Sequence, residues 1–499
     1  MTEDGGWCGA SVAAHAARRP AAPAILTADE EVGWATFHAR VEAMAAALHG
    51  GGVCPGAPAA LLMRDGAVHL VATFALHRLG VPLLVLDPDD PAALNVVLAA
   101  RAAAELTIGA AADAAAAPGH FLAFDECPAG DAALPPPPAP EAICLFARSS
   151  GTTGGIPKLA AISHRQQIAR TLAAQHAMPL GTGDRYFALV SNGFSYGRNS
   201  TYRALVTGGA VIFQPPLRSV AGLVAAMRAG GTTWTAVTPH HLRRLLEAAG
   251  TEPLLPDVRL LCSTAALTPD ERRSVMRRVS PQLFVMYGTN ESGILAFAAP
   301  PDIRRHPGTV GRPPPGMRAF AVDDDGRPLP AGEVGRLRFA DGPFPAGYLG
   351  ATDGGSSRFA PGWFEPGDIG LVDADGYVFL KGRIDDVVNV GGRKILPADI
   401  EVCLRTHPAV VDAVVVALRD RRLGERAVAV AQARAAIAPA TLVAFCRARL
   451  GPGRAPQAVL VVDAIPVTAL GKPDRRAVAA LAVARLAAPG DGAPGDGAP

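Results

Sequence analysis

The string Arg148-Ser149-Ser150-Gly151-Thr152-Thr153-Gly154-Gly155-Ile156-Pro157-Lys158 concentrates groups that bind phosphate. Its small residues let backbone N–H groups approach phosphate oxygens closely. Its hydroxyls add donors, and Lys158 adds positive charge. Ser149, Ser150, Gly151, Thr152, Thr153, Gly154 and Lys158 are therefore candidate phosphate contacts. A flexible Ser/Gly loop is the alternative on composition alone. The string is not a Walker A loop, which needs Gly-x-x-x-x-Gly-Lys-Ser/Thr, and no Gly-Lys-Ser/Thr string occurs here. A second chemical signal is a shortage. Only four of the 47 basic residues are Lys: Lys158, Lys381, Lys394 and Lys472. Coding bias toward Arg explains the bulk and leaves four lysines to account for. A compact, flexible ammonium is not interchangeable with a planar guanidinium at a site.

These residues need elements to hold them. Ala142–Phe146 reads as a strand feeding the loop. Val41–Leu48 fits a helix ending at the glycines 50–52, and Ala59–Met63 and Val81–Leu86 are short apolar runs suited to buried strands. Strands alternating with helices imply an α/β fold with largely parallel sheets. Residues 128–140 are Pro/Ala/Gly-rich and read as a surface connection. Arg318–Val322 and Gly335–Phe339 flank Asp323-Asp324-Asp325-Gly326 and read as an antiparallel ribbon. A second ribbon spans Gly370–Leu380 with a turn at Asp373–Gly376. Beyond Lys381, strand-like His407–Leu418, Ala427–Ala431 and Gln457–Val462 mix with helix-like Pro397–Arg405 and Ala440–Leu450. That is a small α+β domain of about 100 residues, large enough to fold by itself.

Composition removes several classes. The net charge is +2 and no basic stripe interleaved with aromatics occurs, so nucleic acid is a poor partner. The most apolar stretch, 67–86, is broken by His69, His77, Arg78 and Pro82, so no membrane span is expected. Seven scattered cysteines without a C-x-x-C pair read as reduced thiols in a cytoplasmic protein. The N-terminus has no signal-peptide pattern. The tail Pro489–Pro499, with its Gly-Asp-Gly-Ala-Pro repeat, reads as disordered.

The loop resembles the Ser/Thr/Gly-rich phosphate loop of the adenylate-forming superfamily: acyl-CoA synthetases, nonribosomal adenylation domains and luciferase. It departs from that pattern by one extra residue before Pro157-Lys158 and by Leu159 after it. The resemblance continues in order along nearly the whole chain. It includes Leu79-Gly80-Val81-Pro82 to Leu86-Asp87-Pro88, Tyr287-Gly288-Thr289-Asn290-Glu291, Gly332-Glu333-Val334-Gly335 and Gly347-Tyr348. It continues through Trp363–Asp368, with Pro366 where the family has Thr. It ends with Lys381–Asp386, Gly391-Gly392-Arg393-Lys394 and Pro466–Lys472. Singly, each could be a turn or a solvated charge. In register they are a strong match.

The resemblance implies a large AMP-binding domain, 1–384, of mixed sheets with helices and a β-ribbon or barrel part. A small mobile α+β domain, 385–486, and a tail, 487–499, follow. It implies ATP and Mg²⁺ as cofactors, with Glu291 as the metal ligand and Lys472 bridging the acid carboxylate and the ATP α-phosphate. Thr264, Tyr287, Gly288, Asn290, Asp368 and Arg383 would contact the nucleotide, Asp368 through the ribose hydroxyls. Asp385 would be the hinge about which the small domain rotates after adenylation. Two anions must meet, so positive charge and positioning carry the chemistry.

Amino-acid-activating relatives bind the substrate ammonium with an Asp, and Ser195 stands at that place here. A hydroxyl pairs poorly with a buried ammonium, which disfavours α-amino acids. Phe194, Tyr196, Ser263, Thr264 and Ile294 are candidate pocket residues suited to an apolar or aromatic acid; ordinary core packing is their alternative. Gly391 and Gly392 resemble the glycine pair that faces pantetheine in acyl-CoA ligases, so coenzyme A is the expected acceptor. A phosphopantetheinyl carrier protein or a small amine remains an alternative acceptor. A catalytically silent nucleotide-binding relative is the non-enzyme alternative.

Overall fold

A computed structural model describes the chain apart from residues 1–5, 65, 125–132, 150–156, 216–218, 266, 351–357, 468–472 and 488–499. The chain divides into two compact units. One comprises Met1–Phe320, Arg338–Pro366 and Asp373–Val378; the other comprises Ala321–Leu337, Gly367–Val372 and Phe379–Pro499.

Two sheets organise the first unit. One has six strands in the order His120–Ala123, Leu106–Gly109, Ala59–Leu62, Leu83–Leu86, Ile143–Arg148 and Leu159–Ser163. The first five run parallel and the last turns back antiparallel. Ala59–Leu62 and Leu83–Leu86 are buried at every position, as befits strands of a sheet covered on both faces. Helix Gly66–Arg78 is the crossover joining them, which parallel pairing requires.

The other sheet has eight strands, from Gly293–Ala298 at one edge to Glu31–Gly33 at the other. Its parallel centre comprises Leu283–Thr289, Arg259–Cys262, Trp234–Val237, Arg185–Phe187, Ala210–Ile212 and Pro23–Leu26. One continuous apolar core lies with these sheets. Within it Phe37 meets Phe74 edge-on at 5.8 Å, and Phe74 stacks on Tyr202 at 4.9 Å.

In the second unit Val410–Asp420 and Gly424–Ala433 form a long antiparallel pair, with Ala458–Val462 added in parallel. Helices Pro397–Arg405, Pro439–Leu450 and Arg475–Ala487 complete it. The ribbon strands form as the sequence indicates: Arg318–Val322 pairs with Gly335–Ala340, and Asp368–Val372 is the neighbour of Val378–Arg383. The tail 488–499 lies outside the described residues. Among the described residues no helix is long and apolar enough to cross a membrane. Cys8, Cys54, Cys144, Cys262, Cys403 and Cys446 are free thiols.

Phe37 is fully buried in the aromatic cluster. Phe37→Ala should destabilise the first unit by about 3–5 kcal/mol, read as a lower urea midpoint at unchanged slope. A change within about 0.5 kcal/mol would show that the cluster is not a packing centre.

Candidate active site

In open α/β sheets, ligands bind outside the carboxyl ends of the strands. Two parallel strands end together here, with Val237 beside Cys262, and a third lies alongside with Val285 beside Cys262. Ser263 and Thr264 lie just past the end of Arg259–Cys262, and Tyr287 and Gly288 lie in the last part of Leu283–Thr289, which runs on beyond its neighbours. The edge strand returns antiparallel and sets Ile294 opposite Gly288. Helix Ser195–Val206 starts at the same edge, with Phe194 as its N-cap. The Tyr196 hydroxyl donates to the carbonyl oxygens of Leu261, at 2.5 Å, and Val237, at 3.4 Å. Residues from four separate stretches of the sequence therefore gather at one end of the sheet.

Two backbone features mark that edge. A Cβ at Gly288 would lie 2.1 Å from the Gly293 carbonyl oxygen, so only glycine lets these strands close where their register shifts. Thr264 holds φ at +86°, a genuine outlier for a β-branched residue. Its Oγ1 is buried with no hydrogen-bond partner. Strain of this kind costs about 1–3 kcal/mol and clusters at ligand sites.

The turn joining the two strands carries Glu291, which is 4% exposed. The Tyr348 hydroxyl donates to Glu291 Oε1 at 2.9 Å. Lys158 Nζ sits 5.2 Å from the centre of the Tyr348 ring. The Asn290 amide donates to the Arg148 carbonyl at 2.9 Å, tying the turn to the base of the phosphate loop. That base is closed by Ser149 N–H to the Lys158 carbonyl and by Lys158 N–H to Ser149 Oγ, each 2.8 Å. Arg148 also pairs with Asp90 at 2.8 Å. Ser150, Gly151, Thr152, Thr153 and Gly154 lie outside the described residues, as does Lys472.

Two buried arginines near these residues carry no mark in the sequence. Arg170, 5% exposed, donates from Nη2 to the Asn290 carbonyl at 2.5 Å. Burial brings its pKa down to about 10, partly opposed by the charges of Cys144 and Glu291. Arg198, in the first turn after Ser195, donates to the Asn192 carbonyl at 3.0 Å and to Ser195 Oγ at 3.2 Å. Burial brings it also to about 10. Both stay cationic near neutral pH. In a chain whose basic residues are nearly all Arg, neither position stands out by type.

The second unit holds the remaining candidates. Arg383 Nε and Asp368 Oδ1 are 3.9 Å apart, and Arg383 Nε has no hydrogen-bond partner. Asp385 lies in the short 3₁₀ turn Ile384–Asp386. Gly391 and Gly392 both take positive φ, +58° and +83°. Gly392 lines a cavity of about 520 Å³ with Asn389, Arg419, Leu423, Gly424 and Glu425. Val467 and Pro473, on either side of 468–472, form an antiparallel bridge. Arg475 then anchors the following helix, bonding Glu401 at 2.8 Å and the Val415 carbonyl at 2.5 Å.

A parallel sheet whose end is tied through Asn290 to the residues flanking the Ser/Gly segment, together with a separate α+β unit, is the frame of an α/β protein with a ligand site at its strand ends. The profile of the AMP-binding enzymes matches residues 12–349, and that of the AMP-binding enzyme C-terminal domain matches residues 399–472. The chain belongs to the AMP-binding enzyme family, the adenylate-forming enzymes that activate an acid as its acyl-adenylate. It is 31% identical to the salicyl-AMP ligase / salicyl-S-ArCP synthetase of Mycobacterium tuberculosis, over 95% of this chain and 91% of that protein. It is 33% identical to the sulfoacetate–CoA ligase of Cupriavidus necator, over 69% and 68%. The fold matches o-succinylbenzoate coenzyme A synthetase (MenE) of Bacillus subtilis, solved with ATP and magnesium. The TM-score is 0.83 at 21% identity, covering 93% of this chain and 98% of that one.

Thr264→Gly should relieve the backbone strain and raise stability by about 1 kcal/mol, seen as a higher thermal midpoint. A lower midpoint would show that the +86° conformation carries no strain.

Proposed function

We propose that this chain joins a non-amino, apolar or aromatic carboxylic acid to AMP, then passes the acyl group to a phosphopantetheine thiol, coenzyme A being the first candidate. The observation that carries the reading is the buried Glu291 turn, tied to both the phosphate loop and the sheet edge. In the first step a carboxylate oxygen attacks the α-phosphorus of ATP and the bond to pyrophosphate breaks. In the second a thiolate attacks the acyl carbon and AMP leaves. Ser149 and Lys158, with Ser150–Gly154, would cradle the phosphates. Tyr287, Gly288, Asn290 and Thr264 would border the nucleotide, Thr264 Oγ1 offering it an unused hydroxyl. Asp368 would accept from the ribose hydroxyls and Arg383 would contact ribose or phosphate.

The Glu291 carboxylate, oriented by Tyr348, is a hard oxygen donor that suits Mg²⁺. Bound there, magnesium would neutralise phosphate charge. Lys472 would neutralise the approaching carboxylate and the α-phosphate, then leave the site as the small domain turns about Asp385.

Arg198 supports the choice of acid. Its cationic guanidinium bonds Ser195, the position where an ammonium partner would need a carboxylate. A second buried cation there would be strongly opposed. Phe194, Tyr196, Ser263 and Ile294 would then face the acid's organic part. On the acceptor side, Gly392 borders an open cavity and its neighbour Gly391 shares its positive φ, which suits close approach of a pantetheine arm. A carrier-protein thiol is the second reading, favoured by the salicyl-S-ArCP relative.

An acid-dependent ATP–pyrophosphate exchange panel should show exchange with aryl or apolar acids and none with α-amino acids. Exchange with amino acids alone would overturn the substrate reading; no exchange with any acid would favour a silent nucleotide binder. Adding coenzyme A or a phosphopantetheinyl carrier protein to the active mixture then separates the acceptors by product mass. Lys472→Ala should lower adenylate formation by about 10²–10³-fold and spare thioester formation from supplied acyl-adenylate. Lys472→Arg should not restore the first step. Equal loss of both steps would remove this role from Lys472. Tyr348→Phe should slow exchange about tenfold, the effect of losing one hydrogen bond to a charged group. Unchanged exchange would show that this bond does not orient a working carboxylate.

A further inference from the structure

Four residues outside the nucleotide edge converge in the core of the first unit. Cys8 precedes helix Ala10–Arg18, and His77 lies near the end of helix Gly66–Arg78. Cys144 is on strand Ile143–Arg148, and His164 opens helix His164–Leu172. All four are buried, at 0–2% exposure. One ligand atom from each, a sulfur or a ring nitrogen, lies within 4.8 Å of the others. Separate elements rarely bring two thiols and two imidazoles together by packing alone, because apolar side chains fill such a space at lower cost.

The imidazoles are under-satisfied. His77 Nδ1 and His164 Nε2 are buried without hydrogen-bond partners. His164 Nδ1 accepts the Cys8 N–H at 3.2 Å, and the two rings meet edge-on at 5.5 Å. Among the described residues no carboxylate joins the cluster. The donor set is therefore two sulfurs and two nitrogens.

We propose that Cys8, His77, Cys144 and His164 form a closed structural site for a tetrahedral divalent transition metal, zinc by its donor set. Two thiolates and two imidazoles are a standard set for structural zinc. Two thiolates balance a 2+ ion, so the occupied site adds no net charge to the core. Binding forms two metal–sulfur and two metal–nitrogen bonds and releases the two thiol protons, so affinity rises with pH. A ligand spread of up to 4.8 Å is wider than bonds of about 2.0–2.3 Å allow at tetrahedral angles, so the side chains draw inward on binding. A His164 ring nitrogen exchanges its present surroundings for the metal. The outcome is a staple joining the segment before the first helix to the strand that feeds the phosphate loop. The site is distinct from the magnesium proposed with ATP, which takes oxygen ligands.

The test uses the full-length chain, purified under reducing conditions, stripped with chelator and reloaded with Zn²⁺ or Co²⁺. The expected result is a single equivalent of zinc retained through gel filtration, and a Co²⁺ form with visible tetrahedral bands and thiolate charge-transfer absorption. Zinc should raise the thermal midpoint of the wild type. Cys8→Ser should lose the thiolate-rich Co²⁺ spectrum and the zinc-dependent shift, while Cys54→Ser, at an exposed thiol, keeps both. Cys144→Ser is the second variant, and the wild-type Co²⁺ spectrum decides the matter even if a variant fails to fold. Absence of that spectrum in wild type, its persistence in Cys8→Ser, or a Cys8–Cys144 disulfide in place of metal would overturn the proposal.

Discussion

A buried guanidinium under the Glu291 turn is the constraint on which the rest of the candidate site depends. Taking Arg170 out of water costs several kcal/mol unless its charge and donors are answered. The Asn290 carbonyl answers one donor, and the nearby charge of Glu291 opposes the loss of the proton. The arrangement also dictates its neighbours. Gly293 takes φ of +73°, and a Cβ there would lie 2.7 Å from Arg170 Nε. No side chain fits between turn and guanidinium.

The helix that carries Arg170 is itself held at its start. Ser163 and Gln166 form a capping box, which satisfies donors the first turn would otherwise leave open. Gln166 also donates to the Phe344 carbonyl at 2.7 Å, and Leu349 N–H donates to the Leu159 carbonyl at 2.7 Å. The segment that delivers Tyr348 to Glu291 is thus fixed from the same helix and strand that frame the phosphate loop. A cap, a buried cation and a tyrosine hydroxyl act as one positioning unit.

The sheet edge supplies the complementary half. Parallel strands buried on both faces must end in loops at a common edge, and those loops are free to carry polar groups. Strain at Thr264 and close approach at Gly288 are tolerated because the strands on either side over-determine the backbone. In the second unit, Arg475 locks the last helix to Glu401 and Val415, so the segment 468–472 is bracketed by anchored residues.

The chain itself determined much of this. Fully apolar runs such as Ala59–Leu62 declare buried parallel strands, because only a doubly covered sheet has no use for alternation. Motif order from the phosphate loop to Lys472 declared the family, since chemistry on two anions demands particular residue types at particular turns. Helix Pro397–Arg405 and the ribbons were equally legible, being set by local period and turn residues. Tertiary structure alone decided which polar and ionisable side chains are buried, and beside what. Arg170, Arg198 and the Cys8–His77–Cys144–His164 cluster depend on contacts between residues up to 156 positions apart. Local pattern carries no record of such distances, and an Arg-rich composition hides the two arginines among many others.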